Sequence, residues 1–266
     1  MFRIGILGAA DIAFNKFIPA LMKVEGVECA GVASNSPDKL KRFVEKYNVH
    51  VYSSYNEVIG DDSVDCVYIP LPPAFHYEWA KKALLAGKHV FLEKPSTTSA
   101  DDTKELVGIA GEKGLVVQEN YMFQFHAQLK EIENLIASGE LGKLRLVRTS
   151  FGFPRRAEGD FRYVKELGGG TMMDNGGYTI KLIDMLLGES MRLVSSQLDY
   201  DEKTGIDIFG TAEFVNDDGV IAQAAFGMDC QYQCSLELWG SRGRLTTGRI
   251  YTAPDGFKPV ALVETG

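Results

Sequence analysis

The chain has 266 residues, 45% of them hydrophobic and 24% charged, with 28 Gly. These values match an ordinary globular protein and exclude a disordered, collagenous or disulfide-scaffold chain. The net charge is −8, from 28 basic and 36 acidic side chains, which argues against nucleic acid or an anionic membrane as partner, since both are bound by neutralising phosphates.

The length predicts one or two domains, large enough to need no metal or disulfide for stability. In the first 120 residues, short apolar runs alternate with amphipathic stretches. Strands are expected at 2–7, 27–33, 64–69, 89–92 and 115–117, and helices at 12–23, 37–47, 73–86 and 100–113. Pro73 in a first helical turn and Gly87 just past a helix end are ordinary start and stop signals. Strand–helix alternation predicts parallel βαβ units in a doubly wound sheet. Right-handed crossovers then place every strand's carboxyl end on one edge, where ligands bind.

After about residue 120 the pattern changes. A helix is expected at 124–138, a Val/Thr-rich strand at 143–151, a loop closing at Gly168-Gly169-Gly170, and a helix at 172–187. Strands then follow, separated by turn signals at Asn216–Gly219, Ser241–Gly243 and Asp255-Gly256. This half reads as an α+β domain with an open, mostly antiparallel sheet.

The four cysteines are Cys29, Cys66, Cys230 and Cys234. None forms a C-x-x-C pair, so neither zinc nor a redox motif is indicated. Cys230 and Cys234 fall in an alternating run expected to be one strand, where a four-residue separation is about 13 Å. All four are expected to be reduced, buried thiols, and no metal site is expected. No targeting segment or apolar span is apparent, so the chain reads as soluble and cytoplasmic.

Three motifs carry chemistry. Gly8-Ala9-Ala10-Asp11-Ile12-Ala13 follows a strand and opens a helix, the place of a dinucleotide-binding G-x-G-x-x-G turn. Gly8 allows the tight turn, Ala10 lets the backbone approach a pyrophosphate, and Ala13 allows close helix–strand packing. The helix N-terminus favours the anion. The next strand ends in Ala33-Ser34-Asn35-Ser36, where an acidic residue would bind the ribose of NAD. No carboxylate is present, and Lys39 is near, so NADP is favoured over NAD, although no Arg is apparent to clamp a 2′-phosphate. The alternative is that Ser34–Ser36 merely cap the helix at Pro37. Glu93-Lys94-Pro95 ends a buried strand on the ligand edge, where a Lys can serve as proton donor or acceptor and Pro95 can hold a cis bond.

Together with Tyr68–Pro72, His76, Ala86–Val90, Glu119–Met122, Gly168–Gly170 and Asp174-x-Gly176-x-Tyr178, these blocks resemble the Gfo/Idh/MocA oxidoreductases over nearly the whole chain. The resemblance implies a Rossmann domain at 1–120 and a substrate-binding and oligomerisation domain at 121–266. It implies cofactor contacts from Gly8, Ala9, Ala10, Asp11, Ile12, Ser34, Asn35, Ser36, Lys39, Pro70, Leu71, Pro72, His76, Glu93, Lys94 and Asn120. Lys94, Tyr178 and Asp174 are the implied catalytic set, and Arg162 joins them as a substrate contact. Asp174 and Tyr178 would share one helix face; the alternatives are capping for Asp174, from Thr171-x-x-Asp174, and a core role for Tyr178.

The activity implied is hydride transfer between nicotinamide and a sugar, sugar derivative or diol, of aldose or dihydrodiol dehydrogenase type. In this scheme Tyr178, with an ordinary pKa near 10, moves the proton. Lys94 lowers that pKa by stabilising the tyrosinate, and Asp174 orients a substrate hydroxyl. Alternatives are a sugar-nucleotide ketoreductase and a non-catalytic cofactor-binding regulator. Lys181 stands where inositol-type members carry an acid, and Gln124-Phe125-His126 where relatives often carry Arg. The family pattern continues past the position of Gly266, so the second domain reads as C-terminally incomplete. Homo-oligomerisation through its sheet is also implied.

Overall fold

A computed structural model describes residues 1–266. The chain divides into two compact units, Met1–Asn120 and Tyr121–Gly266.

The first unit is a five-stranded parallel sheet of β1 (Phe2–Leu7), β2 (Val27–Ala33), β3 (Cys66–Ile69), β4 (His89–Leu92) and β5 (Val117–Glu119), in the order β2-β1-β3-β4-β5. The order reverses at β1, so the crevice beyond its carboxyl end is the expected ligand position. The helices are α1 (Ile18–Leu21), α2 (Pro37–Tyr47), α3 (Tyr55–Gly60), α4 (His76–Leu85) and α5 (Ala100–Lys113). Ile6, Leu7, Val32, Val67, Ile69 and Leu92 are fully buried, as strands covered on both faces require. Three details depart from the sequence reading. β5, at Val117–Glu119, lies two residues beyond the expected 115–117. The first expected helix begins as a π-turn, Ala13–Phe17, and α3, capped by the Ser54 hydroxyl, was not expected at all. Six residues are too few for helical periodicity to show.

The second unit is a seven-stranded mixed sheet with α6 (Ala127–Ser138) and α7 (Gly177–Leu187). Its strands are β6 (Leu144–Gly152), β7 (Arg192–Tyr200), β8 (Asp207–Val215), β9 (Ile221–Gly227), β10 (Gln233–Gly240), β11 (Gly243–Gly248) and β12 (Ala261–Thr265), in the order β12-β11-β10-β6-β9-β8-β7. All pairs are antiparallel except β6 with β9. One face carries Val147, Leu236, Leu238 and Ala222, all buried in a core shared with Leu182 and Ile183 of α7. The other is half open and carries a polar ladder: Arg148 donates to Gln223, and Gln223 to Glu213. The expected strand through both cysteines is shorter than its alternation suggested. Cys230 precedes β10, and Cys29 and Cys230 are only partly buried. Burial still pushes the Cys66 thiol up to about 12 and Cys29 to about 11, so neither is a reactive thiolate. No helix is long and apolar enough to cross a membrane.

Leu236, fully buried at the centre of this sheet, sets a test. Leu236→Ala is expected to cost about 2–5 kcal/mol, the range for truncating a core Leu, read as a lowered urea midpoint.

Candidate functional site

The residues expected to bind the cofactor lie within the first unit. The backbone turns at Gly8, whose amide donates to the carbonyl of Ala33 at 2.9 Å. Gly8 has φ +121°, and an added Cβ would meet Leu71 Cδ2 at 2.8 Å. Only glycine tolerates both the conformation and the approach. Beyond the turn opens a cleft of about 490 Å³ lined by Gly8–Ala10, Ser34–Ser36, Lys39 and Pro70–Pro72. Three segments that are distant in sequence thus converge, as the dinucleotide reading requires. The Ser36 side chain makes no cap bond to α2; the Ser36 amide instead donates to Ser34 Oγ at 3.1 Å. Capping therefore does not account for these residues.

Tyr55, Phe75, Glu78 and Trp79 complete the cleft wall, and sequence reasoning missed them. Tyr55 and Trp79 meet edge to face at 5.0 Å, a favourable aromatic geometry. Glu78 is held by Lys82 at 2.7 Å.

Several expected cofactor contacts lie outside the lining. Asp11 is exposed and pairs with Arg42 at 2.7 Å, and Ile12 is also off the wall. Arg42 corrects the view that no Arg is near. Its guanidinium lies over Phe14, 4.6 Å from the centroid, and donates to the Ala9 carbonyl at 3.2 Å, bracing the turn.

Glu93, Lys94 and Asn120 do not line the cleft either. They form a hydrogen-bonded turn at the same sheet edge. Glu93 Oε1 accepts from Tyr68 Oη at 2.6 Å and from Asn120 Nδ2 at 2.7 Å. The Ser96 amide donates to Glu119 at 2.7 Å, and the Lys94–Pro95 bond is cis. His76 is neither a cleft residue nor a surface one. It is fully buried, with Nδ1 2.8 Å from the Pro95 carbonyl and Nε2 2.7 Å from the Leu71 carbonyl.

The residues expected to carry the proton transfer lie within the second unit. Tyr178 is 7% exposed and packed among aromatic rings: Tyr121 at 4.9 Å, Phe151 at 5.1 Å, Tyr251 at 5.7 Å and Phe123 at 5.8 Å. Buried Tyr251 is anchored by a hydrogen bond with Thr149. None of these ring partners was expected from sequence.

Asp174 lies in a π-turn, Met172–Gly176, that leads into α7. A wider i→i+5 turn, frequent at functional sites, therefore separates it from Tyr178. Asp174 Oδ2 accepts from Arg162 Nε at 2.7 Å, and Arg162 also pairs with Asp160 at 3.1 Å. Burial works against the Arg162 charge, but Asp174 and Asp160 more than offset it and raise its pKa. Capping through Thr171 is not what forms here: the Thr171 hydroxyl donates to Asn175 Oδ1. Asp207, from β8, accepts from the Met172 amide at 2.6 Å. A side chain on Gly170, at φ +123°, would collide with Asp207, which explains a glycine at the loop's end.

The description "Oxidoreductase family, NAD-binding Rossmann fold" matches residues 2–121, and the "GFO/IDH/MocA C-terminal domain" matches residues 129–246. The chain belongs to the Gfo/Idh/MocA oxidoreductase family.

A dTDP-3,4-didehydro-2,6-dideoxy-alpha-D-glucose 3-reductase of Streptomyces violaceoruber is 39% identical over 98% of this chain and 77% of its own length. The enzyme of that name from Saccharopolyspora spinosa is 37% identical over 98% and 79%. A D-xylose 1-dehydrogenase (NADP(+)) of Haloferax volcanii is 32% identical over 98% and 78%. A 3-ketoreductase from Actinomadura kijaniata, solved with NADP and TDP-benzene, superposes with a TM-score of 0.96 at 36% identity, over 99% of this chain and 81% of its own.

The residues present fit the family's nicotinamide dinucleotide. Gly8 to Ala10 leave room for a pyrophosphate, and Ser34–Ser36 with Lys39 present hydroxyls, an amide and a cation instead of a ribose-binding carboxylate.

Two tests follow from this geometry. Gly8→Ala is expected to weaken NADPH binding by at least about tenfold, since it strains the turn and displaces Leu71; fluorescence titration would detect it. His76 is held below its ordinary pKa, chiefly by burial. The unfolded chain therefore takes up this proton at a higher pH than the folded one. His76 accordingly adds stability above pH about 6.5 that is lost as pH falls through the folded value. The wild-type melting temperature should decline on acidification below pH about 6.5 more steeply than that of His76→Gln. Parallel curves would contradict the assignment.

Proposed function

We propose that this protein reduces the 3-keto group of a thymidine-diphospho deoxysugar with NADPH. The observation that carries the reading is the similarity to 3-ketoreductases over 98–99% of this chain and 77–81% of theirs, at up to 39% identity among those named above. The aldose and diol dehydrogenase reading has relatives of lower identity, the xylose enzyme at 32% and a Xenopus tropicalis dihydrodiol dehydrogenase at 28%. These named enzymes also favour catalysis over a purely regulatory role.

NADPH, when bound, supplies hydride to the carbonyl carbon. Tyr178 hands its hydroxyl proton to the carbonyl oxygen, and Lys94 offers positive charge as that oxygen becomes anionic. The A. kijaniata 3-ketoreductase has been solved with one tyrosine replaced by Phe and, separately, one lysine replaced by Ala or Glu. Both positions are numbered eight higher than Tyr178 and Lys94, so a single offset relates the two pairs. Arg162 is already flanked by Asp160 and Asp174, so it is a poor clamp for the diphosphate; its role is to hold Asp174 toward a substrate hydroxyl.

NADP preference rests on Ser34, Asn35, Ser36 and Lys39. The open sheet face, where Phe209, Ile221, Trp239 and Leu262 are exposed and Ile221 and Trp239 share a row through Leu146, is the surface we assign to homo-oligomerisation.

A screen of thymidine-diphospho keto sugars, aldoses and diols, with NADPH and NADP or NADH and NAD, would test the reading by nicotinamide absorbance. Turnover is expected with a keto sugar nucleotide and NADPH; activity confined to aldose oxidation would overturn the substrate, and equal use of NADH the cofactor preference. In the same assay Tyr178→Phe should lower kcat about 10²–10⁴-fold. NADPH affinity should be unchanged, because the Phe ring still fills the aromatic box.

A further inference from the structure

His76 is fully buried, yet both of its ring nitrogens face backbone carbonyls, and the two carbonyls belong to different loops. The Leu71 carbonyl lies in the Pro70–Pro72 wall of the cofactor cleft, and the Leu71 side chain packs on Gly8 of the dinucleotide turn. The Pro95 carbonyl closes the turn that carries Lys94. A neutral imidazole has one N–H and one lone pair. It can donate to only one of these carbonyls, and its lone pair then opposes the other. Protonation would satisfy both, but burial disfavours the charge. Of the charged neighbours, Glu93 favours the proton and Lys94 opposes it.

We propose that His76 is a positioning residue whose single proton holds the Leu71 cleft wall in one tautomer and the Lys94–Pro95 turn in the other. No atom of His76 needs to touch cofactor or substrate. Its effect passes through Leu71 to the Gly8 turn, and through Pro95 to Lys94. Cofactor binding that fixes Leu71 favours the proton on Nε2, so occupancy of the cleft is transmitted to the turn bearing Lys94. This rests on the cofactor reading above but not on the identity of the sugar.

Two amide substitutions separate the links. An Asn side chain places its donor near the Nδ1 position, and a Gln side chain places one near Nε2. His76→Asn therefore keeps the link to Pro95 and is expected to weaken NADPH binding about tenfold, the scale of one lost buried hydrogen bond. His76→Gln keeps the link to Leu71 and should leave NADPH affinity within about threefold while speeding amide exchange across residues 93–97 by about tenfold.

Parallel losses in both variants, or no change in either, would overturn the proposal, because a purely structural histidine gives no such split. A wild-type measurement does not depend on the variants folding. With only four histidines in the chain, ¹⁵N-labelled imidazole signals report the His76 tautomer. Saturating NADPH is expected to shift it toward Nε2–H, and an unchanged tautomer would overturn the proposal. If wild type binds NADPH but turns over no keto sugar nucleotide, the substrate reading fails while these measurements still decide the role of His76.

Discussion

One carboxylate oxygen organises the carboxyl edge of the five-stranded sheet. Glu93 Oε1 accepts hydrogen bonds from Tyr68 at the end of β3 and from Asn120 just past β5. Tyr68 is fully buried and stacked on Phe17 at 3.8 Å, so an unpartnered phenol there would cost the full desolvation of its hydroxyl. Burial and the Glu93 charge push its pKa well above the ordinary tyrosine range, which keeps it a donor. The ends of β3, β4 and β5 are thereby tied together at the carboxyl edge that carries Lys94. Glu93 is thus first a structural acceptor, and the position of Lys94 follows from it.

The second unit solves a different problem, that of holding a phenol still. Four aromatic rings surround Tyr178, and edge-to-face contacts contribute roughly 0.5–1.5 kcal/mol each beyond the area they bury. Gly177 lacks a side chain because Tyr121 occupies that space. The start of the helical segment is anchored from β8, where Asp207 takes the Met172 amide. A π-turn beside it gives Asp174 to Arg162 without breaking the path into α7. Each device narrows the freedom of the side chains assigned to chemistry, which is what preorganisation requires.

Much of the fold was legible from periodicity. Four strands of the first sheet and its long helices follow from apolar runs and from Gly and Pro punctuation, whereas β5 lies two residues past the apolar run that suggested it. The short helix Tyr55–Gly60 and the π-turns did not, because such lengths leave no periodic trace. The parallel pairing of β6 with β9 was hidden as well. Alternation marks which face of a strand is buried but says nothing about its neighbour's direction.

At the site, the sequence by itself determined residue types and order: a glycine turn after the first strand, hydroxyls and Lys39 in place of an acid after the second, and Lys94, Asp174 and Tyr178 in family register. What only the tertiary structure decided is which of these meet. Asp11 turned to Arg42, Asp174 to Arg162, and His76 sank between two loops it joins. Tyr55 and Trp79 entered the cleft wall, and Tyr121 and Tyr251 closed around Tyr178. The reason is physical. A motif fixes local backbone geometry within a few residues, whereas hydrogen-bond partners and ring contacts are chosen by packing between segments such as Arg162 and Asp174, 12 positions apart, or Tyr178 and Tyr251, 73 apart.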